Sequence, residues 1–329
     1  MPAPLALTMG EPGGASPEIT LAAWEKLRGG GAFFVIADPA LFPAEKIAVI
    51  SGPEKAAEIF AEKLPVLALE KPVSATPGET SQDNAGAVIE SIERAVAYAL
   101  SGEASAIVTN PIQKSSLIAA GFKFPGHTEF LAALTKNKPM PAGCMRGPVM
   151  MLAGPDLKTV PVTIHQSVTD AVRSLTTDLI TRTAMVVAQA LTQDFSIKSP
   201  RLAISGLNPH AGENGALGSE DEDIIAPAIA ALNDAGVNAR GPLPADTMFH
   251  ESAREAYDAA LCMLHDQALI PAKTLAFHDA VNVTLGLPII RTSPDHGTAL
   301  DIAGKSVARA DSLIAAIRLA FAMAERRSA

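Results

Sequence analysis

The sequence predicts an α/β fold arranged as two lobes with a cleft, and three observations carry that expectation. Short apolar runs alternate with longer amphipathic stretches, the pattern of strand–helix repeats. Nearly every cluster of Gly, Pro and polar residues follows an apolar run directly, and open α/β sheets gather their sites at the carboxyl ends of strands. The 329 residues, 48% hydrophobic and 19% charged, suffice for a sizeable core, and no linker-like segment separates independent domains.

Taken in order, residues 5–8 and 33–38 read as strands, with a helix over 17–27 between them. Pro17 suits the first helical turn, where its missing N–H costs nothing. Residues 66–69 form a further strand. A helix over 84–100 is indicated by Val88, Ile92, Val96 and the 98–100 run at helical spacing, with Asp83 or Asn84 able to cap its start. Residues 106–109 read as a buried strand stopped by Asn110-Pro111. Strands follow at 149–152 and 160–164, a helix over 175–194, a strand at 202–205 and a helix over 223–235. Residues 259–264 form a strand that ends at His265, and 311–326 close as an amphipathic helix with Leu313, Ile317 and Phe321 on one stripe.

The net charge of −9 offers no electrostatic footprint for nucleic acid or an anionic membrane. Cys144 and Cys262 stand far apart without a CxxC, so two buried, reduced thiols are expected. The first residues lack the basic and apolar regions of a signal peptide, no run of about 18 apolar residues occurs, and the expected compartment is the cytoplasm. Trp24 and the ten Met residues read as core. The run Glu220-Asp221-Glu222-Asp223 reads as a solvated helix start favoured by the dipole.

Three histidines share one context. His165, His210 and His265 each lie at or just beyond a predicted strand end. Imidazole is the commonest ligand for borderline divalent metals, and a three-ligand site keeps a position open for substrate. The residues alone leave the alternative that each is an ordinary loop or capping histidine. The loop from Gly206 to Gly215 is dense in turn formers, and with Asn208, Gly212 and Glu213 it either offers backbone N–H groups to an anionic cofactor or is a plain connection. No GxGxxG follows a strand, so a Rossmann fingerprint is absent and any dinucleotide must be held another way. His127 and Thr128, at a helix start, suit a phosphate or carboxylate, or else Thr128 closes a capping box. Lys273, Asn282 and Arg291, from successive elements, are donors of the kind that bind such anions, although singly each reads as surface. His296, in what reads as a turn into a helix, carries no assignment. GxSxG, Walker A and kinase signatures are missing.

In combination, Phe124-Pro125-Gly126-His127-Thr128-Glu129-Phe130, Gly206-Leu207-Asn208-Pro209-His210-Ala211-Gly212-Glu213, Gly241-Pro242-Leu243-Pro244-Ala245-Asp246-Thr247, His265-Asp266-Gln267, Asn282-Val283-Thr284-Leu285-Gly286-Leu287-Pro288 and Arg291-Thr292-Ser293-Pro294-Asp295-His296-Gly297-Thr298 closely resemble the 4-hydroxythreonine-4-phosphate dehydrogenase family. The match runs from about Leu5 to the C-terminus. The resemblance implies a two-lobed fold similar to isocitrate and isopropylmalate dehydrogenases, in one unit with lobes of roughly 1–125 plus 270–329 and 126–269. It implies a homodimer with the active site at the subunit interface. His165, His210 and His265 would bind zinc, magnesium or cobalt, drawn from both subunits. His127, Thr128, Lys273, Asn282 and Arg291 would bind substrate, and Asp246 and Asp266 are candidate catalytic residues. The implied reaction is NAD- or NADP-dependent oxidation, with decarboxylation, of 4-phosphohydroxy-L-threonine to 3-amino-2-oxopropyl phosphate in pyridoxal phosphate biosynthesis. Departures from the family pattern are Ser16 at a usual glycine of the 10–17 loop, Gln166-Ser167-Val168 after His165, and Leu264 in place of a frequent Tyr. Rival readings are a dehydrogenase of 4-phospho-D-threonate, 4-phospho-D-erythronate or a cyclic diol, a non-catalytic metabolite- or metal-binding protein, and a phosphotransacylase-like transferase.

Overall fold

The computed structural model describes residues 2–124 and 126–328; Pro125 of the 124–130 motif and Met1 of the amino-terminal segment lie outside the described residues. Two compact units make up the mixed α/β chain, Met1–Pro139 with Leu287–Ala329, and Met140–Gly286.

The first unit runs β1 (Leu5–Thr8), α1 (Ser16–Leu27), β2 (Phe33–Ala37), β3 (Ile47–Val49), α2 (Ala56–Ile59), β4 (Leu64–Ala68), α3 (Ala85–Ser101), β5 (Ile107–Val108), α4 (Lys114–Ala119) and α5 (His127–Thr135). The second runs β6 (Val149–Ala153), β7 (Lys158–Pro161), α6 (Val168–Ser174), α7 (Thr177–Phe195), β8 (Arg201–Ser205), α8 (Ala226–Asp234), β9 (Asn238–Leu243), α9 (Glu251–Arg254), β10 (Ala259–Cys262), α10 (His265–Ala276) and β11 (Val281–Leu285). The chain then returns to the first unit with β12 (Arg291–Pro294) and α11 (Asp311–Ser328).

The strand order in the first unit is β3-β4-β2-β1-β5-β12, and every pairing is parallel. Strands β1 and β2 are buried at every residue, as expected of apolar strands covered on both faces by helices. In the second unit the order is β11-β6-β7-β10-β8-β9, antiparallel from β11 to β7 and parallel from β7 to β9. Its core gathers Met150, Leu152, Leu157, Tyr257 and Cys262, and burial pushes the Cys262 thiol up to about 12.

The units divide later along the chain than the sequence suggested. Helix α5 buries Phe130 and Leu131 and packs on α3, which keeps it in the first unit. Helix α10 packs on β6 and β7, and β11 pairs with β6, which keeps both in the second.

Several local expectations shift as well. Strand β5 is only two residues long, and β7 starts two residues before 160 and ends at Pro161, leaving Ile164 and His165 in a loop. Asn84 caps no helix; its side chain instead exchanges hydrogen bonds with the Ser74 backbone, at 3.0 and 2.8 Å. Cys144 is half-buried rather than buried, with Sγ 2.9 Å from Gln193 Oε1. Trp24 is core, its indole N–H donating to the Phe60 carbonyl. No helix among the described residues is long and apolar enough to cross a membrane.

Candidate active site

In the first unit the polar cluster gathers around the carboxyl ends of β1 and β5. Arg291 opens β12 in register with Ile107 of β5, and is 4% exposed. Thr109 Oγ1 accepts from its Nε at 3.1 Å and its Nη2 at 2.7 Å. Thr109 is itself fully buried, and its backbone N–H donates to the Thr292 carbonyl. Burial pulls the guanidinium down to about 10, so it stays charged at neutral pH.

His127 opens α5. The helix is preceded by Gly126 in extended conformation, and no side chain caps it. The capping box centred on Thr128 is therefore not formed, and Thr128 lies inside the first turn. His127 Nε2 is buried without a hydrogen-bond partner. Burial first, then the positive charges of Arg291 and Lys114, hold this imidazole well below 6.5, so it is neutral at physiological pH. A fixed cation, a neutral imidazole and an uncapped helix start together suit an oxyanion.

The same end of the unit is locked by Asn110. Its Nδ2 donates to the Thr8 carbonyl and to Thr20 Oγ1, both at 2.9 Å, and its backbone N–H donates to Thr8 Oγ1. Gly10 holds φ +73°, and a Cβ there would come within 2.6 Å of Asn110 Cβ. Glycine at this point therefore lets the 10–17 loop close over β5. Ser16, where the family pattern has glycine, is the buried first residue of α1. Glu11 in the same loop is buried, which pushes its carboxyl up against the opposing hydrogen bond from Gly13 N–H.

In the second unit β7 and β10 are parallel neighbours, with Val160 opposite Leu261 and Pro161 opposite Cys262. The segments that leave these strands bring His165 and His265 together, with ring centroids 5.7 Å apart. His265 Nδ1 lies 2.8 Å from Asp266 Oδ1. A carboxylate accepting from Nδ1–H leaves the Nε2 lone pair for a ligand. This placement suits Asp266 to orienting the His265 imidazole. Asp246 and Asp266 both line a cavity of about 520 Å³ with Phe249, Leu264 and Ile270. Lys273 lies in the last turn of α10, and Asn282 sits on β11 opposite Leu152.

His210 follows β8 in a loop whose geometry is set by Asp221, a fully buried carboxylate. Asp221 accepts from the backbone N–H of Leu207 at 2.8 Å and of Asn208 at 3.1 Å, and from Asn208 Nδ2 at 3.0 Å. Glu220 accepts from the same amide at 2.8 Å, which holds its carboxyl below the usual range. The acidic run is therefore not simply a solvated helix start, because two of its members anchor the loop. The N–H groups of Leu207 and Asn208 are donated inward, which removes them from any cradle built on Gly206, Asn208, Gly212 and Glu213. His210 is 65% exposed and faces Glu213, with Nδ1 to Oε2 3.7 Å. Among the described residues no group of three His, Cys, Asp or Glu side chains is placed to hold a metal. The donor chemistry of the His165–His265 pair fits two ligands of a borderline divalent cation.

Sequence reasoning passed over Thr109 and Asp221. Thr109 follows a strand beside Asn110 and Asp221 sits within an acidic run at a helix start, and burial alone distinguishes them from their neighbours.

A family model described as pyridoxal phosphate biosynthetic protein PdxA matches residues 32–320. The 4-hydroxythreonine-4-phosphate dehydrogenase of Bradyrhizobium diazoefficiens is 52% identical over 343 residues, covering 99% of this chain and 98% of that one. The crystal structure of the enzyme of the same name from Klebsiella pneumoniae superposes with a TM-score of 0.86 at 36% identity, covering 98% of each chain. A terephthalate 1,2-cis-dihydrodioldehydrogenase from Burkholderia xenovorans follows at a TM-score of 0.67 and 27% identity, covering 97% of this chain and 98% of that one.

Proposed function

Because the chain belongs to the PdxA family of pyridoxal phosphate biosynthetic proteins, we propose that it oxidises the secondary alcohol of 4-phosphohydroxy-L-threonine with NAD or NADP. C3 of the substrate gives hydride to the nicotinamide and its hydroxyl gives up a proton, leaving a 3-keto acid. The carboxylate then departs as CO2, its bonding electrons pass to the C2–C3 enol, and C2 takes a proton to give 3-amino-2-oxopropyl phosphate. The observation that carries the reading is the Arg291–Thr109 pair beside neutral His127, an anion pocket of the kind a phosphorylated substrate needs.

Substrate binding falls to His127, Thr128, Lys273, Asn282 and Arg291. His165, His210 and His265 are the residues to hold zinc, magnesium or cobalt, and a bound cation of this kind supplies Lewis acidity that lowers the pKa of an alcohol. Asp266 orients His265, and Asp246 remains the candidate for moving a proton. The fold is of the isocitrate and isopropylmalate dehydrogenase kind. The working form is a cytoplasmic homodimer in which the second copy completes the metal ligands. Exposed Val168, Ile270 and Phe277 on the second unit support a partner surface there.

The test is NADH or NADPH formation by the purified protein with 4-phosphohydroxy-L-threonine, before and after chelation, beside 4-phospho-D-threonate. Turnover on the threonine phosphate that chelation abolishes is expected. Faster turnover on the threonate, or none on either, overturns the assignment.

A further inference from the structure

We propose that Lys114 is a further ligand of the anion pocket in the first unit, and that it sets the preference for a phosphate monoester over the same molecule without its phosphate. The proposal rests on the substrate assignment above, and it adds a residue that neither motif nor resemblance pointed to.

Lys114 is the first residue of α4, reached from β5 through Asn110-Pro111. Its side chain turns back over the start of α5. Both Cε and Nζ lie 3.6 Å from the point where a side chain on Gly126 would begin. The ammonium is thus delivered to the uncapped end of α5, next to His127, whose buried Nε2 has no partner. Glu129 Oε2 lies 3.4 Å from the same point, yet no ion pair within 4.0 Å is made by Lys114 among the described residues. The Lys114 charge also reaches the His127 ring together with that of Arg291.

Charge balance explains why a second cation is needed. A phosphate monoester carries roughly −1.5 to −2 at neutral pH. Arg291 offsets one charge, and neutral His127 adds a donor without adding charge. A lysine at the rim supplies the remainder as a point charge on a flexible stem, which can follow an entering ligand as fixed, buried Arg291 cannot.

The experiment compares the parent protein with Lys114→Met and Lys114→Arg in two arms. In the catalytic arm, KM and kcat are measured with 4-phosphohydroxy-L-threonine and with 4-hydroxy-L-threonine. In the binding arm, the rise in thermal midpoint with added inorganic phosphate is measured. Lys114→Met should raise KM for the phosphorylated substrate about tenfold, with the effect on KM exceeding that on kcat, and lower its advantage over the dephosphorylated one by the same factor. It should also shift the phosphate titration midpoint to about tenfold higher concentration, whereas Lys114→Arg keeps most of both properties. Values for Lys114→Met within twofold of the parent in both arms overturn the proposal. If the parent itself fails to reduce NAD or NADP, the substrate assignment falls, and the phosphate arm still decides on Lys114.

Discussion

The two units solve opposite problems. The first builds its polar site inward: Arg291 and Thr109 are buried against each other, and His127 presents a buried nitrogen at an uncapped helix start. The second builds outward: His265 keeps about a third of its side chain in solvent, His210 about two thirds, and only two of the three imidazoles come together. The proposed anion pocket is thus prearranged inside one unit. The proposed cation ligands lie on an open surface. Prearranged donors act without reorganisation at the moment of binding, whereas an open ligand set gains order only as its partners arrive.

Variants at each unit can break or sharpen this contrast, and the largest effect is expected on the open side. His265→Ala and His210→Ala should each lose bound cation by elemental analysis and more than about 10³-fold in turnover, with thermal unfolding little changed because His210 is exposed and His265 only half-buried. Normal cation content in either variant would remove that histidine from the ligand set. On the buried side, Arg291→Met should cost about 2–5 kcal/mol in kcat/KM, some of it from leaving Thr109 Oγ1 without its donors. An unfolded product would show instead that the pocket is structural.

Smaller effects test the inner arrangement. Thr109→Val keeps the shape of the side chain but removes the acceptor, and should raise KM about tenfold while Thr109→Ser restores it. Equal KM values for the three proteins would show that Arg291 needs no such hold. The smallest effect concerns pH. Since His127 is held below 6.5 in the folded protein, the unfolded chain binds more protons as acid is added. The stability it contributes is full above about pH 6.5 and is lost as pH falls through the depressed value. Denaturant midpoints from pH 7.5 downward should fall more gently in His127→Gln than in the parent, and parallel curves would contradict the burial argument.

Much of the architecture was legible in the sequence because it depends on local periodicity. The long helices α3, α7 and α11 and the apolar strands β1, β2 and β8 begin and end within two residues of the expected positions. Shorter elements escaped: β3, β12 and α9 are only three or four residues long, too short for a periodic signal. The site was legible as a set of residue types after strands, but its contacts were not. Nothing local distinguishes Asp221, fully buried and holding two backbone amides, from its neighbour Asp223. Thr109 likewise acquires its role only from Arg291, 182 positions away. Roles of this kind depend on long-range packing, which a window of sequence does not contain.

His165 and His210 carry φ values of +51° and +52°, and Ala211, Glu213 and Asn214 share that left-handed region. For an L-residue such a backbone is worse by roughly 1–2 kcal/mol than it is for glycine. Under the proposed ligand assignment, heat tolerance and turnover therefore make opposing demands at the same two positions. A lineage under thermal selection would gain from glycine there, and would lose an imidazole each time it took that gain.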